Sequence, residues 1–226
     1  MTTDHAKLTK ELISTTNHLS GLADVDFVIE AASENLGIKQ AIFRDLDKLI
    51  KNKEDSILAT NTSSISITKV AAATTRPSHV IGMHFMNPVP VMKLVEIIPG
   101  LATQPAVTEK TKLLATAMGK TCTVVQDIPG FVANRLLMPY INEAMMLLES
   151  HAASAEDIDL TMKLGTNMPM GPLTLADFIG LDTCLAIMKV LYENTGDSKY
   201  RPAVLLQKYV DAGWMGKKSG RGVYTY

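Results

Sequence analysis

His84 and Glu96 are the residues of this chain whose types and spacing best suit proton transfer. His84 follows a short apolar run at 80–83, and Glu96 lies inside a second apolar run at 92–98, as expected for two buried strands. The asparagine and prolines at 87–90 predict a rigid turn that can bring the second strand back beside the first. Glu96 can then hold one imidazole nitrogen while the other faces a substrate as a general base. A buried pair that merely stabilises a corner of the fold fits the same spacing, so the residues alone leave both interpretations open.

The elements that must position this pair predict an α/β domain. Apolar runs and amphipathic stripes alternate as strand, helix, strand, helix and strand over 24–32, 36–51, 56–59, about 66–75, and 80–85. Such alternation is typical of a parallel sheet with crossover helices. Ligands of such sheets gather at the carboxyl ends of the strands. Polar residues lie at those ends, at 30–34, 61–64 and 84–87, so the sequence predicts a site along one edge.

After the strand that holds Glu96, the pattern predicts one more helix, over 105–118, and one more strand, over 121–126. The segment Asp127-Ile128-Pro129-Gly130 is the candidate boundary between domains. Beyond it, apolar periodicity predicts helices over 131–149, 154–164, about 173–194 in one or two pieces, and 202–211. We therefore expect an α/β domain at residues 1–127 and an all-α domain at residues 128–226.

The bulk composition excludes several classes of protein. The chain has 226 residues, 46% hydrophobic and 20% charged, with a formal net charge of −1. This balance argues against a surface for nucleic acid, and no apolar run approaches the roughly 18 residues of a membrane span. Two cysteines without ligand-like spacing argue against a disulfide framework or a metal site and fit a reducing compartment. We expect an intracellular soluble protein, cytoplasmic or, in a eukaryote, in the mitochondrial matrix.

Several motifs stand in an order that resembles one family. They are Asn61-Thr62-Ser63-Ser64, His84-Phe85-Met86-Asn87-Pro88-Val89-Pro90, Lys93-Leu94-Val95-Glu96, Pro129-Gly130-Phe131-Val132-Ala133-Asn134-Arg135 and Met170-Gly171-Pro172. Their order resembles that of NAD-dependent 3-hydroxyacyl-CoA dehydrogenases, especially the short-chain 3-hydroxybutyryl-CoA branch, over about 22–226. The resemblance implies an oxidoreductase of fatty acid or butanoate metabolism that interconverts 3-hydroxyacyl-CoA and 3-oxoacyl-CoA with NAD or NADP. It also implies a Rossmann-like sheet domain followed by an all-helical domain for substrate binding and dimerisation.

The resemblance also implies roles for individual residues. It makes His84 the base, Glu96 its orienting carboxylate, and Ser63 and Asn134 the donors to the reacting oxygen and the thioester carbonyl. Without the family, Asn134 is interpreted as an exposed helix residue. The implied contacts to the NAD cofactor are Glu34, Lys39, Ser63, Asn87 and Lys218. Without the family, Lys39 is interpreted as a solvated helix lysine and Lys218 as part of a flexible basic tail.

One motif of dinucleotide-binding folds is absent from this sequence. None of the 14 glycines forms G-x-G-x-x-G, and the only G-x-G is Gly220-Arg221-Gly222, with no helix after it. Relative to the family, the sequence begins partway through the cofactor domain, so we expect weak NAD binding. An alternative function is therefore a catalytically silent short form that acts as a dimerisation partner. A dehydrogenase for free β-hydroxy acids fits the motifs less well.

The helical half predicts a homodimer. Residues 136–148 and 173–188 carry more apolar side chains than one buried helix face needs. Exposed apolar patches above a few hundred Å² usually mark an interface. The family resemblance implies dimerisation through the same half of the chain.

Overall fold

Five strands form one sheet in the computed structural model, which describes residues 3–226. They are β1 Phe27–Glu30, β2 Ile57–Thr60, β3 Val80–Phe85, β4 Leu94–Pro99 and β5 Thr121–Val124, hydrogen-bonded in that order. β1, β2 and β3 run parallel, β4 runs antiparallel to β3, and β5 is parallel to β4. The predicted α/β class is confirmed. The predicted return of the chain after the proline-rich turn is also confirmed, because β4 pairs directly with β3.

Helices cover both faces of this sheet. The helices of the first half are α1 Thr3–Glu11, α2 Leu36–Leu49, α3 Ile67–Ala71 and α4 Pro105–Ala117. Successive strand residues point to opposite faces, so Leu58 joins the core under α2 and α3. Ile57 and Ala59 instead join the core under α4. The buried apolar runs of the sequence thus fill two layers, one on each side of the strands.

α3 is shorter than the helix predicted over 66–75. After its last turn, the backbone N–H and the hydroxyl of Thr75 both donate to the Asp47 carboxylate, at 2.8 Å each. Pro77 follows closely, and the residue before a proline is disfavoured in helical conformation. The chain therefore leaves the helix to reach Asp47, a long-range contact that helix propensity does not reveal.

Gly82 allows α3 to pack directly on β3. A Cβ atom at this position would lie 2.7 Å from Ile67 Cδ1 and 2.9 Å from Ile98 Cβ. Only a residue without a side chain therefore permits this approach. The close packing brings the loop that precedes α3 towards the end of β3, where His84 lies.

The second half is helical, as predicted. It consists of α5 Ala133–Glu149, α6 Ala155–Gly165, α7 Pro172–Ile179, α8 Leu181–Thr195 and α9 Val204–Asp211 around one apolar core. The run predicted over 173–194 divides at Gly180, whose φ of 104° suits glycine. Within residues 3–226, no helix is both long and apolar enough to cross a bilayer.

The C-terminal segment folds back on α7 and α8. Asp177 accepts hydrogen bonds from the backbone N–H groups of Val223 and Tyr224, at 2.9 Å each. The N–H of Leu181 donates to the carbonyl of Met215. The interpretation of this segment as a flexible basic tail is therefore wrong.

Candidate active site

His84 and Glu96 are paired across β3 and β4. They are Cα partners in the antiparallel register, so their side chains leave the same face. His84 Nδ1 lies 2.9 Å from Glu96 Oε2, and the two residues are only 5% and 1% exposed. An ionised carboxylate can only accept, so Nδ1 carries the proton and Nε2 of the neutral ring is an acceptor. That arrangement presents a base at Nε2.

Glu96 also holds the start of the helical domain. Its Oε1 accepts hydrogen bonds from the backbone N–H groups of Val132, at 3.1 Å, and Ala133, at 3.0 Å, at the N-terminus of α5. Burial raises the pKa of Glu96, but the hydrogen bonds from His84 and from these two amides outweigh burial and leave the pKa below its ordinary value. One ionised carboxylate therefore joins the imidazole to the first turn of α5.

Ser63 lies at the other imidazole nitrogen. Its Oγ is 3.1 Å from His84 Nε2, and since that nitrogen accepts, the Ser63 hydroxyl donates. The carbonyl of Ser63 accepts a hydrogen bond of 3.2 Å from Asn134 Nδ2, on the first turn of α5. The structure thus brings His84, Glu96, Ser63 and Asn134 together, and the interpretation of Asn134 as an exposed residue is wrong.

Glu34 anchors the loop that carries Ser63. Its Oε1 accepts from the Thr62 hydroxyl at 2.6 Å, and from the Ser63 N–H, the Ser64 N–H and the Ser64 hydroxyl at 2.9 Å each. Its Oε2 lies 3.9 Å from Lys39 Nζ. Glu34 was predicted to contact the cofactor. In this structure it shapes the loop that places the Ser63 hydroxyl.

Lys39 is buried, not solvated. It is 1% exposed, and its Nζ lies 2.9 and 2.7 Å from the two carboxylate oxygens of Glu30. The Thr60 hydroxyl and the Ala32 N–H also donate hydrogen bonds to the Glu30 carboxylate. Burial raises the pKa of Glu30, but the bonds from Lys39, Ala32 and Thr60 outweigh it and lower the pKa overall. The interpretation as a solvated lysine is wrong because it did not include this partner.

A small polar pocket lies at the carboxyl ends of β1 and β2. Its volume is about 170 Å³, and it is lined by Ala31, Ala32, Ser33, Glu34, Lys39 and Asn61. The Ser33 hydroxyl is buried there without a hydrogen-bond partner among the described residues. An unpaired buried hydroxyl beside a cation and a carboxylate fits the hydroxyl-rich part of a nucleotide. These residues are therefore compatible with the ribose of a nucleotide.

A larger cavity of about 430 Å³ opens at His84. Ser63, Asn87 and Asn134 contribute its polar groups. Most of its apolar wall comes from the helical half, through Leu137, Leu175, Phe178, Ile179 and Ile187. Met86 and Met92, which lie between β3 and β4, complete the wall. A few converging polar groups in an apolar cavity are typical of a small-molecule site.

Lys218 lies beside a neighbouring cleft. Its Nζ is 2.8 Å from Asp182 Oδ2, near the N-terminus of α8. Asp182 lines a cavity of about 360 Å³ together with Glu34, Ser63, Ser64 and residues of α8. Of the predicted contacts to the cofactor, Glu34 and Ser63 line this cavity, Lys39 lines the small polar pocket and Asn87 lines the His84 cavity, whereas Lys218 lines none of them and contacts Asp182. No group of three or more metal-ligating side chains occurs in the described part.

Comparison with known proteins identifies the family. Residues 1–128 match the family described as "3-hydroxyacyl-CoA dehydrogenase, NAD binding domain", and residues 130–226 match "3-hydroxyacyl-CoA dehydrogenase, C-terminal domain". The chain belongs to the 3-hydroxyacyl-CoA dehydrogenase family. The family resemblance drawn from the sequence motifs is thereby confirmed.

Individual 3-hydroxyacyl-CoA dehydrogenase relatives cover nearly the whole chain. A protein of Bacillus subtilis named probable 3-hydroxybutyryl-CoA dehydrogenase is 58% identical over 214 residues, 95% of this chain and 74% of the relative. The 3-hydroxybutyryl-CoA dehydrogenase of Bradyrhizobium diazoefficiens is 53% identical, over 99% of this chain and 76% of the relative. The crystal structure of (S)-3-hydroxybutyryl-CoA dehydrogenase from Ralstonia eutropha is 49% identical, with a TM-score of 0.95 over 100% of this chain and 79% of that one.

For this member of the 3-hydroxyacyl-CoA dehydrogenase family, sequence reasoning missed the apolar wall of the His84 cavity. The excess of apolar residues over 173–188 was interpreted as part of a dimer surface. Leu173 and Leu181 instead lie in the helical core, while Leu175 and Phe178 line the cavity. Phe178 is nevertheless 52% exposed, so the contribution of this run to a dimer surface stays a prediction. The available signal was that α7 carries apolar residues on more faces than its core contact needs.

Proposed function

We propose that this chain interconverts 3-hydroxyacyl-CoA and 3-oxoacyl-CoA with a nicotinamide cofactor, on short acyl chains such as 3-hydroxybutyryl-CoA. One observation carries the proposal: the buried His84–Glu96 pair presents Nε2 to a cavity where Ser63 and Asn134 also lie. The names of the most similar relatives support the same substrate class. The domain match supports an NAD-type cofactor.

His84 is the proposed general base. Oxidation of a secondary alcohol requires removal of the hydroxyl proton, and Nε2 accepts it. Glu96 then stabilises the imidazolium through Nδ1 and keeps the ring in the tautomer that the next turnover needs. A positioned base of this kind contributes about 10²- to 10⁴-fold in rate.

Ser63 and Asn134 are the proposed donors to the substrate. The Ser63 hydroxyl donates to Nε2 in this structure, at 3.1 Å. When the substrate binds, its hydroxyl takes this place at Nε2, and the Ser63 hydroxyl turns to donate to the reacting oxygen. Donors held close to the reacting oxygen and the thioester carbonyl stabilise the charge that develops there. The apolar wall excludes water from these groups.

We propose NAD as the cofactor, with NADP as the alternative. Glu34, Lys39, Ser63, Asn87 and Lys218 are the residues proposed to hold it. The cofactor supplies the hydride acceptor when bound. The role of the chain is to orient the nicotinamide beside the His84 cavity, and the unpaired Ser33 hydroxyl near Lys39 supports a polar ligand there.

We further propose that residues 1–127 hold the cofactor and that residues 128–226 complete the substrate site and form a homodimer. The exposed apolar residues of α5 and α6 support the dimer. Leu136, Leu147, Leu160 and Leu164 are 71%, 42%, 51% and 77% exposed. Scattered single apolar residues need no explanation, but several on neighbouring helices favour a shared interface. A monomeric mass by light scattering at micromolar concentration would contradict this proposal.

The deciding assay is NADH formation from 3-hydroxybutyryl-CoA by the purified chain. We expect turnover that His84→Gln reduces by about 10²- to 10⁴-fold at unchanged mass and melting temperature. Free 3-hydroxybutyrate in place of the thioester tests the dehydrogenase for free acids. A folded, dimeric chain without turnover on either substrate would overturn the proposed activity and support the silent dimerisation partner.

A further inference from the structure

Asp127 makes a concentrated set of hydrogen bonds outside the groups already described. Its Oδ1 accepts from the Ile67 N–H at 2.9 Å, and its Oδ2 accepts from the Thr68 N–H at 2.8 Å and from the Ser66 hydroxyl at 2.9 Å. The first two donors begin α3, which otherwise leaves these N–H groups unsatisfied. The acceptor comes from a segment about 60 positions away, not from the helix itself.

These bonds hold the loop that carries Ser63 from its far side. Glu34 binds the loop at Thr62, Ser63 and Ser64, and Asp127 binds it from Ser66 onwards. Gly82 sets how closely α3 approaches the sheet, and the Leu101 N–H donates to the Thr68 hydroxyl of α3 at 2.9 Å. Within this frame, the two carboxylates hold the two ends of the loop that places the Ser63 hydroxyl beside His84.

The same carboxylate fixes the segment that leads into α5. Asp127 lies directly before the turn at Pro129 and Gly130, and Phe131 follows, 1% exposed with its ring 5.7 Å from that of His84. Gly130 and Phe131 have φ values of 76° and 50°, so the turn is tight and strongly specified. A displacement of Asp127 therefore passes to the start of α5 and to Asn134.

We propose that Asp127 is a positioning residue for the dehydrogenase reaction. Through one carboxylate it sets the contact between Ser63 Oγ and His84 Nε2 and the contact between the Ser63 carbonyl and Asn134 Nδ2. The inference rests on the proposed function for its kinetic test. Its structural test is independent of that function.

The kinetic test compares Asp127→Asn with Asp159→Asn. Asp159 is a matched control because it also accepts from two backbone N–H groups and a hydroxyl at a helix start, those of Leu173 and Thr174, on α7. We expect Asp127→Asn to lower kcat by about 10- to 100-fold, because displacements of about 1 Å can cost that much, while KM changes less than about threefold. Asp159 also accepts from the Tyr224 hydroxyl at 2.9 Å, and α7 carries Leu175 and Phe178 of the His84 cavity. Asp159→Asn is therefore expected to lower the melting temperature and to raise KM without this loss of kcat.

The structural test follows the imidazole nitrogens of the five histidines by long-range ¹H–¹⁵N correlation spectra. His84→Gln assigns the His84 signals, and Ser63→Ala marks the shift that loss of the hydrogen bond to Nε2 causes. We expect Asp127→Asn to move the Nε2 resonance in the direction of Ser63→Ala, and Asp159→Asn to leave it in place. If Asp127→Asn does not fold, Ser66→Ala removes one donor to Asp127, together with the bond that Ser66 Oγ accepts from the Lys69 N–H, and is expected to lower kcat by about two- to tenfold.

Two results would overturn the inference. In one, Asp127→Asn loses stability as Asp159→Asn does but keeps kcat within twofold, so that Asp127 only caps α3. In the other, the His84 Nε2 resonance stays in place. A parent chain without turnover disproves the proposed function alone, and the spectra then decide the role of Asp127.

Discussion

Replacement of Glu96 by glutamine tests whether the His84–Glu96 pair is catalytic or only structural. The side chain keeps its shape but has one acceptor oxygen in place of two. The structure presents three donors to it, from His84 Nδ1 at 2.9 Å and from the N–H groups of Val132 and Ala133 at 3.1 and 3.0 Å. The single oxygen satisfies more donors when it faces α5, so the amide NH₂ group then faces Nδ1. The ring then prefers to present Nδ1 as an acceptor, with its proton on Nε2, so the tautomer that acts as the base is disfavoured but not lost.

The size of the effect follows from the bond that is lost. A hydrogen bond to a charged group is worth about 1.5–3 kcal/mol. Each 1.36 kcal/mol corresponds to a factor of about ten in rate, so kcat is expected to fall by roughly 10- to 150-fold. The loss for His84→Gln is expected to be larger, because that change removes the base and not only its orientation.

Steady-state NADH formation and urea unfolding are measured on the same preparations. Glu109→Gln is the matched control, since Glu109 is an exposed carboxylate on α4 whose ion-pair partner among the described residues is Lys112. Its kcat and stability are expected to match the parent. If Glu96→Gln lost stability while its kcat stayed within twofold of the parent, the pair would be structural, and His84 would need another explanation.

Stability adds a pH test of the same residue. The pKa of Glu96 is lower in the folded protein than its ordinary value of 4.5. Its contribution is therefore fully present above about pH 4.5 and is lost as the pH falls through the lower, folded-state pKa. The stability difference between the parent and Glu96→Gln is expected to narrow below pH 4.5. A difference that stays constant from pH 7 to the acid limit of folding would show that the ionised carboxylate contributes nothing.

Three further changes test the surroundings of the site. Gly82→Ala is expected to destabilise the fold by about 1–3 kcal/mol in urea unfolding, because the new Cβ would lie 2.7 Å from Ile67 Cδ1. Glu30→Gln is expected to cost about 3–5 kcal/mol, because the buried Lys39 loses its near counter-ion and keeps only the Glu34 carboxylate at 3.9 Å. The double change of Glu30→Gln with Lys39→Met is expected to recover much of that loss, and recovery of none would contradict a true ion pair. Ser63→Ala is expected to lower kcat by at least tenfold at unchanged stability, as measured by NADH formation.

The sequence predicted the sheet and its functional edge well, because both depend on local signals. The apolar runs that end at Glu30 and Phe85 are short and bounded by turn residues, so they predicted strands and placed their ends. The prolines after Asn87 predicted the reversal that pairs β4 with β3. Once the chain reverses, a spacing of twelve residues brings His84 opposite Glu96, as the register shows.

Long-range partners could not be predicted in this way. Nothing local indicates that Lys39 is buried against Glu30, since its helix positions alone favour exposure. Asp127 appeared only as a boundary residue, because its donors lie about 60 positions earlier in the chain. The wall formed by Leu175 and Phe178 depends on how the helical half docks on the sheet. Periodicity identifies an apolar face but not what that face contacts.

The two oxygens of Glu96 have a consequence for the order in which the molecule assembles. β3 and β4 can pair while the helical half is still undocked, but Oε1 then lacks the two N–H groups of Val132 and Ala133. Without those two N–H groups, the carboxylate lacks hydrogen bonds that lower its pKa and that hold it in place beside His84 Nδ1. The base is therefore completed by docking and not by formation of the sheet. A chain whose two halves are not docked carries every residue of the site, yet it lacks the fixed carboxylate that orients its base.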